Sequence, residues 1–485
     1  MKLETIHHNQ EHSLWLVVSL FFSEQDDVSV TSELRHERGV ITVDTTVEYN
    51  GRLAQASYFF PCAQDADTAQ INRITAAVCG MSFYKAAIQL KQVELPWGVM
   101  TGIRPAKLIR QLLADDHSEA YIYTYLKQLY GISDEKFNLA LEVAKNEIPI
   151  LRQNERSDIG LYIGIPFCPT RCVYCSFVST DLRHTARYVD EYLQLLAQEI
   201  SYAFKKLRGM QLRVTNLYIG GGTPTALTEQ QLARLLGSLD ACTDLSALSE
   251  FCVEAGRPDT ITEEKLRLMR SYHVSRISIN PQTMNEATLA RIGRAHTPDD
   301  IRAAFSLARQ AGFDNINADI IAALPGESTA DFRHTLEQVD ALSPEGITVH
   351  TMSVKRGSRL HQQPDGYALT ASDTAHEMLS VASSFLRQTG RIPYYMYRQK
   401  NMLGNLENVG YARPGFESLY NVNIMEEVLS VLALGSGGSS KAVSPHADRI
   451  ERIFNFKSPI EYIRRFDEIL TKKDAFFAIY QEMYT

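Results

Sequence analysis

Six short apolar runs alternate with helical patterns between Leu161 and Thr351, and this alternation strongly narrows the folds open to the chain. Strands that alternate with helices of about 10–15 residues are typical of parallel βα units. The predicted strands are 161–165, 214–219, 251–254, 274–279, 315–322 and 346–351. The predicted helices are 188–207, 229–239, 262–272, 298–311 and 330–342. The region is therefore predicted to be α/β, although the pattern alone leaves open whether it forms an open sheet or a partial barrel.

Residues of types that bind ligands or cofactors follow the carboxyl ends of these predicted strands. In parallel α/β folds those ends meet on one side of the sheet and carry the ligand. In chain order the groups are the cysteines of 168–175, the glycine-rich 220–224, Glu254, 280–282 and 324–326. The sequence therefore predicts one site on one rim.

Regions of different pattern flank this segment. Strand signals occur at 14–22, 27–34, 40–49 and 53–60, with a hairpin turn at Asn50-Gly51, and helical patterns follow to residue 150. We predict an α+β module of unknown role at 1–155, the α/β segment at 156–355 and a domain at 356–485 that caps the rim.

Composition limits the classes of function. A net charge of -8 over 485 residues disfavours general binding to nucleic-acid phosphates. No run approaches the roughly 20 apolar residues that span a bilayer, so a cytoplasmic protein is expected. Seven cysteines, three of them clustered, fit a metal or redox site better than a disulfide framework. The other four, at 62, 79, 242 and 252, are expected to be buried thiols.

The clustered cysteines Cys168, Cys172 and Cys175 have the spacing C-x3-C-x2-C. Three thiolates so close in sequence can bind one small metal centre, and on a four-iron cluster they leave one iron open to another ligand. The alternative is a zinc site with a fourth ligand from elsewhere, but zinc ligands usually come in pairs and no second pair follows.

The loop Gly220–Gly222 and two strand carboxylates are candidate ligand contacts. Glycines permit close backbone approach to a polar group, although a tight turn would also explain them. Glu254 and Asp319 lie in apolar strands, where a carboxylate needs a partner. That partner is a ligand, a helix N-terminus or an arginine such as Arg276 or Arg291.

These motifs resemble the radical S-adenosylmethionine (SAM) superfamily: the cysteine trio with Tyr174, and Tyr-Ile-Gly-Gly-Gly-Thr-Pro at 218–224. The stretches 162–168, 276–282, 291–297 and 317–326 are similar to the oxygen-independent coproporphyrinogen III oxidase (HemN-like) family. Residues 96–105 and 397–401 resemble its HemZ branch.

The resemblance implies a partial (β/α)6 barrel with a [4Fe-4S] cluster on Cys168, Cys172 and Cys175 and with SAM on the open iron. Reductive cleavage of SAM would give a 5'-deoxyadenosyl radical, which removes hydrogen from a propionate that then loses carbon dioxide to become vinyl. An electron donor and an acceptor, neither identified by the sequence, are implied. The implied SAM contacts are Tyr162, Tyr174, Gly221, Gly222, Thr223, Glu254, Gln282, Arg291 and Asp319.

Three positions depart from the relatives' patterns. Phe177 replaces a fourth cysteine, Gly164 replaces a histidine, and 420–424 lacks the histidine of the heme-chaperone motif. Lys355, Arg356 and Arg359 replace a Glu-Pro-Gly-Thr pattern and are predicted to pair with substrate propionates, a solvated surface cluster being the alternative.

We therefore expect a tetrapyrrole enzyme that decarboxylates coproporphyrinogen III. The alternatives are another radical porphyrin reaction such as anaerobic heme breakdown, a non-enzymatic heme-binding or heme-delivery protein and, more remotely, an RNA-modifying enzyme.

Overall fold

The computed structural model divides the chain into two compact units. The first contains 1–145 and 397–407, and the second contains 146–396 and 408–485. The residues described are 1–102, 104–175, 180–355, 358–362, 367, 370–399, 402–446 and 449–484. These units differ from the predicted domains, because the α/β segment and most of the C-terminal region form one unit.

The first unit is an α+β module, as predicted, built on a sheet in the order β1-β2-β3-β4. The strands are β1 (Lys2–Ile6), β2 (Val28–Glu37), β3 (Val40–Tyr49) and β4 (Arg52–Pro61). The helices are α1 (Glu11–Phe21), α2 (Thr68–Ala87), α3 (Pro105–Ala114) and α4 (Glu119–Tyr130), and α5 (Asp134–Leu151) leads into the second unit. The predicted hairpin is present: Asn50 and Gly51 both have positive φ, 50° and 72°.

The strand predicted at 14–22 is wrong, since this run lies in α1. Its buried residues, Leu14, Val17, Val18 and Phe21, have the i, i+3, i+4, i+7 spacing of one helix face. A short, almost wholly apolar run does not distinguish a strand from a helix, and here the packing face decided.

The segment 397–407 is joined to the first unit by buried polar contacts. Glu407 accepts hydrogen bonds from Trp97 Nε1 and Lys136 Nζ, both at 2.7 Å. Arg398 donates to the carbonyl of Met100 at 2.6 Å and lies over the Trp97 ring. These contacts need partners far apart in sequence, so the first unit includes a piece of the C-terminal half.

The second unit contains an eleven-stranded sheet in the order β13-β14-β12-β11-β10-β9-β8-β5-β15-β16-β17, and β6 pairs with β7 separately. The strands are β5 (Asp158–Ile165), β6 (Phe167–Cys168), β7 (Thr180–Asp181), β8 (Arg213–Gly221), β9 (Glu250–Gly256), β10 (Arg276–Gln282), β11 (Ile316–Ala322), β12 (Gly346–Thr351), β13 (Ile392–Tyr397), β14 (Asn408–Ala412), β15 (Val431–Leu434), β16 (Ser439–Val443) and β17 (Ile450–Phe454).

Helices follow the strands as the sequence predicts. They are α6 (Leu182–Thr185), α7 (Val189–Gly209), α8 (Glu229–Asp240), α9 (Glu263–Ser271), α10 (Glu286–Arg291), α11 (Pro298–Gln310), α12 (Thr329–Ala341), α13 (Arg359–Gln362), α14 (Ser372–Gln388), α15 (Leu419–Glu426), α16 (Pro459–Arg464) and α17 (Phe466–Tyr484). Capping boxes start α8, α11 and α12, at Thr228, Thr297 and Ser328. No helix in the described ranges is both long and apolar enough to cross a membrane.

The six predicted strands are β5 and β8–β12, and they pair in parallel. The sheet has free ends at β13 and β17, so it is not closed and the predicted partial barrel is confirmed. The C-terminal region extends it: β15 adds a parallel strand beside β5, and β14 pairs antiparallel with β12.

A buried ion pair joins the C-terminal helix α17 to α7. Lys473 Nζ of α17 lies 3.1 Å from Glu199 Oε1 of α7, and both side chains are wholly buried. Glu199 also accepts from the Gly435 amide at 2.8 Å and from Tyr462 Oη at 2.6 Å. Three parts of the C-terminal region, α16, α17 and the turn after β15, therefore contact one carboxylate of the barrel.

We expect Lys473→Ala to lower the free energy of unfolding by about 3–5 kcal/mol, because it leaves the Glu199 charge buried without its cation. Urea denaturation measures the loss. The matched control is Lys206→Ala, which breaks the exposed Lys206–Asp474 pair and should cost less than about 1 kcal/mol. Equal losses in the two variants would contradict the role given to the buried pair.

Candidate functional site

One row of half-buried side chains crosses the six parallel strands of the barrel. Over its carboxyl half each strand is buried except at one position, which belongs to this row, and in β8 also at Gly221. The six residues are Tyr162, Tyr218, Glu254, Asn280, Asp319 and His350. Because their neighbours along each strand are buried, these side chains border an internal space. It lies on the side of the sheet where the cysteine and glycine loops begin.

The cysteine loop starts at β6. Cys168 and Cys172 are buried and Cys175 is half-buried. Cys168 Sγ lies 3.4 Å from Thr223 Oγ1, and the Cys175 amide donates to the Cys172 carbonyl at 3.2 Å. No three His, Cys, Asp or Glu side chains within the described ranges are arranged to hold one metal ion. The thiolates of an iron–sulfur cluster bind different irons, so a cluster does not need them to meet at one point.

The glycine loop lies directly against the cysteine strand. The Gly222 amide donates to the Ile165 carbonyl at 2.7 Å, and the Thr223 amide donates to the Phe167 carbonyl at 2.8 Å. A Cβ on Gly222 would lie 2.6 Å from the Phe167 oxygen, and Gly221 has a φ of +112°. Only glycine permits this approach, so the loop is more than a tight turn. It forms a bare backbone surface beside the cysteines, which fits a polar ligand there.

Three tyrosines stack beside Glu254. The rings of Tyr218 and Tyr420 are 4.7 Å apart, and the ring of Tyr162 lies 6.2 Å from that of Tyr218. Tyr218 Oη donates to Glu254 Oε1 at 2.7 Å. Burial raises the pKa of Glu254 to about 7, and the nearby Asp319 acts in the same direction. Glu254 can therefore change its charge near neutral pH.

Arg276 is not the partner of Glu254. It donates to Asn315 Oδ1 and to the Phe416 carbonyl, and its nearest carboxylate is Glu250, at 4.0 Å. Glu250 in turn accepts from the Tyr420 amide at 2.8 Å. Glu254 is therefore hydrogen-bonded to a tyrosine and is not paired with Arg276. Arg276 and Glu250 instead hold the chain that carries Tyr420.

The other predicted SAM contacts lie around the same space. Asp319 accepts from Asn317 Nδ2 at 2.7 Å, and its second oxygen lies 3.8 Å from His350 Nε2. Arg291 is exposed and donates to the Pro325 carbonyl at 2.7 Å. Gln282 is buried with a φ of +69°, and its Oε1 has no hydrogen-bond partner among the described residues. A strained, buried amide with an unused acceptor is suited to a ligand.

Two arginines that the sequence analysis did not select hold the cysteine loop. Arg294 Nη2 donates to Tyr174 Oη at 3.2 Å, and Arg257 Nη1 donates to Thr170 Oγ1 at 2.7 Å. Arg294 lies in the 291–297 motif, so a signal was present, but only the fold shows that it contacts Tyr174. Arg257 is more than 80 residues from the loop and carried no signal.

The structure describes only two of the three residues predicted to be substrate cations. Lys355 is half-buried, and its pKa is lowered by burial although the nearby Cys175 acts against this shift. Arg359 is exposed. Arg356 lies outside the described residues, as does Phe177. Lys355 thus lies near the cysteine loop, and Leu360, the neighbour of Arg359, donates its amide to the Val173 carbonyl of that loop at 3.1 Å.

Two departures from the relatives' patterns have structural causes. A Cβ at Gly164 would lie 2.7 Å from the Ser436 carbonyl oxygen, so the approach of the β15 turn leaves little room for a side chain there. In the 420–424 stretch, Tyr420 belongs to the tyrosine stack and Asn423 accepts from Asn154 at 2.6 Å.

Glu327 joins the loops that follow β10 and β11. It accepts from Thr283 Oγ1 at 2.5 Å, and burial raises its pKa to about 7. The folded carboxyl thus keeps its proton up to about pH 7, whereas the unfolded one releases it near 4.5. Between these values the folded state binds more protons, so its stability falls as pH rises.

We expect Glu327→Gln to remove this dependence, because glutamine does not titrate. The difference in free energy of unfolding between parent and variant should change by roughly 3 kcal/mol from pH 4 to pH 8, about 1.4 kcal/mol per pKa unit. Urea denaturation across this range measures it. Glu337→Gln, on the exposed side of the following helix α12, serves as control. A parental slope in Glu327→Gln would refute the assignment.

Comparison with known proteins identifies the family to which the chain belongs. The Radical SAM superfamily profile matches residues 162–339. The oxygen-independent coproporphyrinogen-III oxidase-like protein HemZ of Bacillus subtilis is 36% identical over 487 residues, covering 98% of this chain and 97% of that protein. The heme chaperone HemW of the same organism is 32% identical, covering 54% of this chain and 65% of the chaperone. The oxygen-independent coproporphyrinogen III oxidase of Escherichia coli is 30% identical, covering 50% and 52%.

Among solved structures, coproporphyrinogen III oxidase (HemN) from Escherichia coli matches with a TM-score of 0.53. The two chains are 24% identical, and the match covers 67% of this chain and 72% of the other. At this identity the likeness concerns the fold.

Proposed function

The chain belongs to the HemN-like family of the radical SAM superfamily, and from this we propose that it is an oxidoreductase that converts propionates of coproporphyrinogen III to vinyls. The cofactors of the family are a [4Fe-4S] cluster and SAM. When bound, they supply one electron and a radical that removes hydrogen from an unactivated carbon.

One observation carries the proposal: the cysteine and glycine loops are fixed against each other by backbone hydrogen bonds at the edge of the half-buried row. The proposed cluster ligands are Cys168, Cys172 and Cys175. Gly221, Gly222 and Thr223 offer a backbone surface for the methionine end of SAM. The remaining proposed SAM contacts are Tyr162, Tyr174, Glu254, Gln282, Arg291 and Asp319.

The protein's part in this chemistry is to position and shield. The tyrosine stack covers one side of the internal space with rings of low polarity, which favours exclusion of water. Glu254 and Asp319 offer carboxylates to the cationic parts of a ligand. Held rings and loops reduce the entropy lost when the reactants are aligned.

The choice of a tetrapyrrole rests on the relatives. The HemZ and Escherichia coli proteins are both named for coproporphyrinogen oxidation, and the HemW protein is named for heme. Lys355, near Cys175, adds a cation that suits a propionate. A low-potential electron donor and a separate electron acceptor would complete the reaction.

The decisive experiment is anaerobic turnover of the reconstituted chain with SAM, reductant, an electron acceptor and coproporphyrinogen III. We expect two successive losses of carbon dioxide plus hydrogen by mass spectrometry, with formation of 5'-deoxyadenosine. Cys168→Ala, Cys172→Ala and Cys175→Ala should each lose cluster iron and activity, whereas Cys242→Ala, outside the site, should keep both. Full iron content in the three variants would refute the ligand assignment, and intact substrate would refute the reaction.

A second prediction concerns the cations. Lys355→Ala and Arg359→Ala should raise the KM for the tetrapyrrole several-fold, because each removes a charge-assisted contact, while uncoupled SAM cleavage stays at the parental rate. Arg302→Ala, which removes an exposed arginine of α11, is the control. Unchanged tetrapyrrole kinetics in Lys355→Ala and Arg359→Ala would show that these cations belong to a solvated surface.

The alternative candidate is a heme-binding or heme-delivery protein, favoured by the 32% identity to a heme chaperone. Titration of the chain with heme separates the two. Stoichiometric heme binding without decarboxylated product supports the carrier, and different tetrapyrrole products support another radical reaction such as heme breakdown.

A further inference from the structure

Arg294 is a buried cation with no ion-pair partner in the described part of the chain. Its side chain is only 8% exposed, and its hydrogen bonds go to neutral groups, the Asn280 carbonyl at 2.8 Å and Tyr174 Oη at 3.2 Å. Nε has no hydrogen-bond partner among the described residues. No carboxylate of the described ranges lies within salt-bridge distance of this guanidinium. A buried charge left in this state is costly unless an anion lies nearby.

The cysteine loop supplies the main negative groups near Arg294, and the smaller effect comes from Asp259, which is already paired with Arg257. Tyr174, which it contacts, lies between Cys172 and Cys175 in sequence, and Cys172 is close enough to affect the guanidinium electrostatically. The Val173 amide donates to the Ile292 carbonyl at 3.1 Å, so the backbone of the arginine's own segment is bound to the loop. The missing counter-charge of Arg294 therefore lies where the cysteine thiolates would be.

Arg257 provides an internal comparison on the same loop. It is 3% exposed and holds Thr170, between Cys168 and Cys172. Unlike Arg294, it forms a two-point pair with Asp259, at 3.0 and 3.1 Å. Asp259 also lies 3.9 Å from His296 Nδ1. Both arginines fasten the loop, but the charge of Arg257 is balanced locally and that of Arg294 is not.

We propose that Arg294 is a positioning residue whose unbalanced charge sets the reduction potential of the cluster. The potential of an iron–sulfur cluster depends on net charge, hydrogen bonding and exposure. Three thiolates make the centre anionic and reduction adds a further negative charge, so a buried cation stabilises the reduced form more than the oxidised one. This inference rests on the proposed cluster ligands and not on the proposed tetrapyrrole reaction.

The test is a potentiometric titration of the anaerobically reconstituted chain, followed by electron paramagnetic resonance, without tetrapyrrole. At a fixed potential, Arg294→Gln should lower the ratio of reduced to oxidised cluster about tenfold, the order expected for loss of one nearby charge. For a one-electron couple this equals about 59 mV. Arg294→Lys, which keeps the charge, should stay within about threefold of the parent.

The matched control is the double variant Arg257→Gln/Asp259→Asn, which removes the whole balanced pair and leaves the net charge unchanged. It should reduce iron content, because Thr170 is released, yet leave the potential of the remaining cluster within about threefold of the parent. A parental potential in Arg294→Gln, or an equal shift in the double variant, would overturn the proposal. If Arg294→Gln binds no iron, Arg294→Lys decides. A lysine variant that binds no cluster or shows a tenfold shift would mean that the arginine acts through geometry alone.

A cluster with the expected potentials on a chain that leaves coproporphyrinogen III unchanged would refute the proposed reaction and support this inference. Parental iron content in the Cys168, Cys172 and Cys175 variants would instead refute the ligands on which both depend.

Discussion

The contact between Gly222 and the Phe167 backbone is the constraint on which the site depends. The backbones of the glycine loop and the cysteine strand touch, with two amide-to-carbonyl hydrogen bonds and no room for a Cβ. This contact places a surface of bare peptide groups beside the first cysteine. A larger residue at 222 would separate the two loops. The rest of the barrel then acts to hold both loops at that distance.

The C-terminal region, which the sequence predicts to be a cap, is part of this support. Its strand β15 pairs in parallel with β5, the strand that leads into the cysteine loop. Tyr192 donates to the Gly164 carbonyl and accepts from the Ser436 amide, which joins α7, β5 and the turn after β15. The buried Glu199 carboxylate accepts a hydrogen bond from the Gly435 amide in the same turn. The cysteine loop and the C-terminal region are thus parts of one packed unit.

Most of the buried charged side chains in the site lie beside a partner that offsets the cost of their burial. Arg257 is balanced by Asp259, Arg276 lies beside Glu250, and Glu254 has a pKa near 7 against a tyrosine hydroxyl. Among these residues, only Arg294 has no carboxylate partner in the described part of the chain, and it contacts Tyr174 of the cysteine loop. A buried charge that has no protein partner therefore indicates where a ligand of opposite charge would bind.

By itself, the sequence determined the six parallel strands, the positions of the cysteine and glycine loops and the family, because periodicity and short motifs are local properties. It misassigned α1, where an apolar run fits helix and strand alike. Only the tertiary structure placed β15 beside β5, 397–407 in the first unit, and Arg294 and Arg257 on the cysteine loop. These are contacts between residues distant in the chain, and no local pattern encodes which distant partner a buried charge or an edge strand will meet.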